Sequence, residues 1–573
     1  MVKNILILLV SFVVVALPFV FQQETSVTEW QPGDPELVVV TPHNEAIRFE
    51  FSQAFNGWHQ NNYGQPAKID WRAIGGTTEI MRYLEAAYVA SYRGYWQRAG
   101  KRWPSEATQK VLDGYYQPDG SIMDELYQGF RQTNDATLFT ANIDVFFGGG
   151  EYDHNRAYQR GLTVPPWPQD QAPKGLFTEA GITMIPPSLS GEIWRTPTLF
   201  GAAISTFGIC YNMDRLRELK VAHPTRWDDL ANPKLFRQVG ISDPTKSGSI
   251  AKAFEMIIQQ KIHQALQHKG FKKKVVKHYE ALFTSANDKP WELPKGVPVD
   301  YQNAVEQGWL QGIQLVQRIG ANARYFTDSA TKVPIDVSMG NAAMGLAIDF
   351  YGRYQAENSR APDGSERMRF ITPEGGSSVS ADPISLLRSA PHKETATRFI
   401  KFVLSEQGQQ IWNYRPGEVG GPLKFALRRL PIRRSFYPST NEMVNQKFVE
   451  HHPHLTDNLA DPNVNPYQVG KKFTYYRRWT GHHFNIHRNL IKAMCLDAGE
   501  ELKAAWEAIN SHGDLQNNHK AIQVFSTMPD GLNWRSAIDK YSSANELEFM
   551  RLWVIHFRNS YLKSKELAEG GAS

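Results

Sequence analysis

The sequence predicts a mixed α/β protein of two lobes followed by a helical C-terminal portion. Short apolar runs recur along the first 400 residues, each ending in a loop with Gly, Ser or Thr and then an amphipathic helical pattern. That is the order of a parallel sheet with its loops at the strand C-termini. The pattern lies on both sides of a longer apolar run, Thr198–Asn212 (TLFGAAISTFGICYN), interrupted by Gly201 and Gly208. A return to strand-like sequence at Ser378–Leu387 then makes each lobe discontinuous in the chain. At 573 residues the chain exceeds one ordinary core, which agrees with two or three domains.

Taken in order, Lys3 precedes an apolar run from Ile5 to Phe21 in which Ser11 is the polar residue, and the chain turns hydrophilic at Gln22-Gln23-Glu24. This is the pattern of a secretory signal. Its 17 residues also reach the lower limit for a membrane span, and no clear A-x-A site follows. Residues 1–23 are therefore expected to be a signal peptide or an uncleaved N-terminal anchor, with the rest outside the cytoplasmic membrane. Hydrophobic content of 41% with 12% aromatic indicates a globular chain. A net charge of +5 is small for this length and argues against a nucleic-acid partner. The two cysteines, Cys210 and Cys495, have no metal-type spacing and read as buried small residues, a disulfide between them remaining open.

Glu36–Thr41 reads as a buried strand ended by Pro42-His43-Asn44-Glu45, and Ala46–His59 as an amphipathic helix. Ala67–Ala73 is a second strand running into Ile74-Gly75-Gly76-Thr77-Thr78-Glu79 and a helix from Ile80, with Thr77 as the expected cap. Residues 88–130 are aromatic and basic and read as a packed helical insertion; stacking of single-stranded nucleic acid is the alternative. Asn142–Phe147 is a third strand, followed by Gly148-Gly149-Gly150-Glu151-Tyr152-Asp153, whose glycines allow backbone amides to face a ligand.

The segment Gln238–Gln260 (QVGISDPTKSGSIAKAFEMIIQQ) is the most informative. It reads as a strand (Val239–Ser242), a loop in which Thr245, Ser247 and Ser249 are hydroxyl donors and cap candidates around Gly248, and a helix with Ile250, Phe254, Ile257 and Ile258 on one face. A helix N-terminus at a strand end leaves unpaired amides that favour carboxylate, phosphate or another polar group. An ordinary capped helix is the plainer alternative. Further on, Gly340–Met344 leads into a strand with Asp349-Phe350-Tyr351 at its end. Met368–Thr372, Pro373–Gly376 and Ala381–Leu387 then bring the chain back to the first lobe, and Lys393–Leu404 is a helix.

Asp-Pro-Thr-Lys-Ser-Gly-Ser before a helix, preceded by Trp227-Asp228-Asp229-Leu230 and Asn232-Pro233, resembles the periplasmic solute-binding proteins of bacterial ABC importers. The branch it resembles carries ferric iron, thiamine, polyamines or sugar phosphates. The resemblance covers most of residues 35–415 and implies a type 2 two-lobed clamshell, with helical insertions and a helical C-terminal extension. The implied division is 24–204 with 378–439 for lobe one, 205–377 for lobe two and 440–573 for the extension, with a hinge near Ser205-Thr206. It further implies ligand contacts from Asn44, Glu45, Gly76, Thr77 and Thr78 in the first two loops. Gly149, Gly150 and Tyr152 follow in the third loop, Ser205 and Thr206 at the hinge, and Thr245, Ser247, Gly248, Ser249, Asp349 and Tyr351 in lobe two. Ferric carriers of this branch use adjacent tyrosines at the last of these places. Phe350-Tyr351 supplies one, so no metal and no cofactor is expected.

After residue 440 the pattern is helical, with long amphipathic runs at Asn489–Ile509 and Glu546–Leu567, read as cladding on a lobe. His483 and His487 stand four apart, a spacing zinc sites use; surface histidines are the alternative, as for His451-His452-Pro453-His454. The expected function is capture of a small polar or charged solute (an anion, sugar phosphate, polyamine or similar) in the periplasm, with delivery to an ABC permease in the inner membrane. A secreted enzyme using the same cleft and an anchored ligand-sensing ectodomain are the alternatives. No G-x-S-x-G, H-E-x-x-H or C-x-x-C motif supports the enzyme.

Overall fold

The computed structural model describes residues 29–168, 171–285, 291–454, 459, 464–511, 518–539 and 545–570. The apolar run expected as signal or anchor lies outside them. Among the described residues no helix is long and apolar enough to cross a membrane.

The chain alternates strand and helix as its patterning requires. β1 (Glu36–Val40) leads to α1 (Glu45–Tyr63), β2 (Lys68–Arg72) to α2 (Thr77–Arg98), and β3 (Val145–Phe147) to α3 (Glu151–Gln159). β4 (Phe200–Ser205) and β5 (Phe207–Asn212) are separated by Thr206 alone, where the chain changes sheet. The second lobe holds β6 (Val239–Ser242), α4 (Gly248–His268), α5 (Val299–Ala321), β7 (Ala323–Thr327), β8 (Met344–Ile348), α6 (Asp349–Asn358) and β9 (Met368–Ile371). β10 (Ser380–Leu387) and β11 (Leu430–Pro431) return to the first. Among the described residues the first sheet runs β11-β4-β10-β3-β1-β2, with Thr163–Val164 also paired to β10, and the second runs β7-β6-β8-β5-β9. β1 is parallel to β2 and β3, so the loops after all three strands open on one edge.

Two expectations are corrected. Met368–Ile371 does not return the chain to lobe one: it pairs antiparallel with β5, and the crossing comes after it. Thr77 does not cap α2; Gly76 is the extended cap residue and Thr77 is the first helical one, leaving the α2 N-terminus without a side-chain cap. Cys210 and Cys495 are buried, as expected, and free, one in β5 and the other packed where a side chain on Gly320 would sit.

Residues 80–130 pack rather than project. Ile80, Leu84, Tyr88, Tyr92 and Trp96 recur every fourth residue, so they share one face of α2. Tyr92 meets Phe139 at 4.9 Å and Phe130 at 5.2 Å between ring centroids. An aromatic stripe at helical spacing is thereby spent on the core of the insertion.

The extension packs on α4 and α5 of lobe two. Trp309 donates to His487 Nε2 (2.8 Å), Gln317 to the Phe525 carbonyl (2.8 Å), and Trp506 to Asn322 Oδ1 (2.9 Å). His483 and His487 are buried with stacked rings, and burial lowers both below the ordinary imidazole range. The described residues contain no cluster of three metal-ligating side chains, and these two histidines serve the core. His451 is likewise engaged, by Tyr414 and Glu406.

Candidate functional site

The loops at the C-termini of β1, β2 and β3 face the loop before α4 across a cavity of about 480 Å³. Geometry at its edge shows how closely the lobes approach. A side chain on Gly149 (φ +104°) would meet Thr77 Cγ2 at 2.4 Å, and one on Gly76 would meet the Lys246 carbonyl of the other lobe at 3.2 Å. Gly149 could carry no side chain without displacing Thr77, and the Gly76 loop lies close against the loop before α4.

Three helices begin at the cavity wall. α2 and α3 start from Gly76 and Gly150 with no side-chain cap, while α4 is capped by Ser247, which accepts from the Ile250 amide. The first-turn amides of each helix have no partner inside the helix, and the aligned peptide dipoles place partial positive charge there.

A buried charged cluster lies where the chain crosses between lobes. Arg429 donates to Asp382 through Nη1 and to Ser205 Oγ through Nη2 (2.8 Å). Its guanidinium lies 4.1 Å from the Phe350 ring centroid of lobe two and 5.0 Å from that of Trp412 in lobe one. Pro383 has no N–H for the ladder, and the β10–β4 register shifts between Asp382 and Pro383, beside this cluster. Burial alone would raise the Asp382 carboxyl, but the charge of Arg429 and the hydrogen bonds from Arg429 and His43 hold it well below the usual carboxylate range. Burial lowers His43 against the pull of Asp382, so its ring is neutral and Nε2 donates to the carboxylate (2.8 Å).

A second cluster joins three parts of the chain. Lys252 of α4 sits 3.1 Å from Glu192 of lobe one, 3.0 Å from Glu255 and 3.7 Å above the Tyr475 ring of the extension. Burial would lower its ammonium, yet the two carboxylates raise it well above the ordinary lysine value. The slot for a cation is thus filled by the protein's own.

Of the predicted residues, the structure brings Asn44, Gly76, Thr77, Gly149, Gly150 and Tyr152 to the cavity wall from lobe one, with Ser205 at the hinge. Ser247, Gly248, Ser249 and Tyr351 face them from lobe two. Burial pushes the Tyr351 phenol up to about 12, so it is neutral at physiological pH. Five others lie off the wall. Glu45 is solvent-exposed on the first turn of α1. Thr78 accepts a bond from Arg488 (3.2 Å), and Thr206 shares a bond with Thr372 (3.0 Å). Thr245 spends its hydroxyl on Asp243 (2.6 Å). Asp349 accepts from the Phe350 amide (2.8 Å) and is raised by burial, a carboxyl of the hinge rather than a contact.

The wall also contains residues that sequence reasoning missed. His43, Asp382 and Lys252 stood inside quoted segments without a role. Tyr475, Arg477, Phe484 and Arg488 come from the extension, which is a third wall of the cavity and not cladding alone. Their sequence neighbourhood carries no signal for this.

No curated protein matches the sequence. Solved structures of similar shape include the periplasmic binding protein AfuA from Actinobacillus pleuropneumoniae, 16% identical, covering 66% of this chain and 81% of that one at a TM-score of 0.40. Iron-bound HitA from Pseudomonas aeruginosa is 16% identical over 65% of this chain and 82% of its own, at 0.36. The spermidine/putrescine substrate-binding protein PotD from Streptococcus pneumoniae is 13% identical over 79% and 99%, at 0.39. Residues 164–417 match the family model of the bacterial extracellular solute-binding proteins. That stretch, under half of the chain, holds both crossings between the lobes and the Ser247-capped helix.

Proposed function

We propose that the protein is the solute-binding component of an ABC importer, capturing a small anionic, hydroxyl-bearing solute between its lobes on the periplasmic side and delivering it to a membrane permease. On this reading 24–204 with 378–439 forms lobe one, 205–377 lobe two, and segment 1–23 directs export or anchors the chain. The observation that carries the reading is the meeting of three helix N-termini, two from one lobe and one from the other, on one cavity. Each such terminus favours an anion by about 0.3–1 kcal/mol, more where it is sheltered from water. A cavity of about 480 Å³ suits a compact metabolite. Ser247 and Ser249 line the same wall and supply hydroxyl partners. The Glu192–Glu255 slot that would attract an amine already holds Lys252, which favours an anion over a polyamine.

Hinge closure around a ligand that touches both lobes stabilises the closed form. Saturation with the right anion should therefore raise the melting temperature, with about 2.7 kcal/mol of stabilisation at a hundredfold excess over the dissociation constant, and should reduce the radius of gyration. Inorganic phosphate, a hexose phosphate and citrate are the probes, with putrescine as cationic comparator. Stabilisation by putrescine and by none of the anions would refute the charge assignment.

A further inference from the structure

The extension presents two faces at Phe484–Ile491, here α7. His487, Leu490 and Ile491 are buried, and His487 is fixed by Trp309 of lobe two. Phe484 and Arg488, four residues apart and so on one face, both line the interlobe cavity. Phe484 packs on Tyr152 of lobe one, ring centroids 5.2 Å apart. Arg488 reaches both lobes: Nε donates to the Pro244 carbonyl (2.7 Å), and Nη2 to the Thr245 carbonyl (2.5 Å) and to Thr78 Oγ1 on the first turn of α2 (3.2 Å). Nη1 donates to none of the described residues. The guanidinium is thus held in place by carbonyl oxygens, which do not neutralise it, between the start of α2 and the loop that feeds α4. The acidic group facing it is Asp153 of α3, whose carboxyl is tied to Thr77 and raised by burial. Glu151, the other acid of that turn, is paired with Arg477 of the extension (3.7 Å).

We propose that Arg488 is a ligand-contacting, specificity-determining residue of the cavity, meeting the solute's anionic group with Nη1 while its other nitrogens bind both lobes. The inference rests on the reading of the cavity as an anionic solute site and adds to it a residue far outside the matched domain, which ends at residue 417. A carboxylate or phosphate placed at the α2 and α4 N-termini would complete a set of donors drawn from lobe one, lobe two and the extension. Because that one side chain touches both lobes, the extension would take part in every closure of the cleft.

The test is calorimetric titration of the full chain with inorganic phosphate and with a hexose phosphate. Arg488→Gln should weaken binding of the better probe at least tenfold, and Arg488→Lys, which keeps the charge but not the fork, by less. Thr78→Val, which removes the lobe-one bond and leaves the charge, should shift affinity less than threefold. If wild-type protein binds and Arg488→Gln binds equally well, the role of Arg488 is wrong and the anion reading stands. If wild-type protein binds neither probe, both fall together. Should Arg488→Gln fail to fold, the wild-type structure with the hexose phosphate decides. An anionic oxygen within hydrogen-bond distance of Nη1 supports the proposal, and one more than about 5 Å away overturns it.

Discussion

Replacing Arg429 with methionine should cost the protein about 3–5 kcal/mol, because it leaves the Asp382 carboxylate buried without its partner. Arg429 is 1% exposed and Asp382 6%, so solvent cannot take over the lost pairing. The guanidinium also lies over Phe350 and Trp412, and it holds Ser205 at the hinge. Urea unfolding should show a much lower midpoint. Arg429→Met combined with Asp382→Leu should recover a good part of the loss, since removing both charges removes the stranded one. A single-variant loss below about 1 kcal/mol would mean that the cluster is hydrated. The pH dependence follows from the same pair. The folded Asp382 carboxyl lies below its unfolded value, so its contribution is complete above the ordinary carboxylate range and is lost as pH falls through the folded value. In wild-type protein that loss belongs below about pH 4.

Gly191→Ala should be the next most damaging single change, at about 2–4 kcal/mol. Gly191 has φ +88°, and a side chain there would meet the Tyr475 carbonyl oxygen at 1.9 Å. It joins the short strands Ser188–Leu189 and Glu192–Ile193, a hairpin of lobe one that leans on the extension. Ser190 fastens the contact twice, accepting from the Tyr475 amide (2.8 Å) and donating to the Gly470 carbonyl (2.5 Å). Relief of the clash must push the hairpin and the extension apart. Glu192 would then leave Lys252, and Tyr475 would leave the cavity wall. Melting temperature and amide exchange at 475–480 both report this, and exchange as slow as in the wild type would show that the contact is dispensable.

The features legible in the sequence are those set by neighbours along the chain. The strand-loop-helix units, the Ser247 cap and the glycines of the third loop depend on periodicity, capping and backbone sterics within a few residues. The change of sheet at Thr206 was implied by the family resemblance, which put a hinge near Ser205-Thr206 within the apolar run Thr198–Asn212. Even the aromatic stripe of α2 declared its helix through its four-residue spacing, although not whether it served core or ligand.

What decided the site was long-range pairing. His43 and Asp382 are 339 positions apart, Arg429 and Asp382 are 47 apart, and Arg488 and Thr78 are 410 apart. A charge buried away from water is tolerable only beside its counter-charge or its hydrogen-bond partners, and which residues those are depends on how the lobes and extension pack. The sequence alone therefore determined which loops join strand to helix and carry glycine, because those properties are local. Only the tertiary structure determined that Asp349 and Thr245 bond within the protein, that Lys252 fills the cationic slot, and that Phe484 and Arg488 of the extension line the cavity.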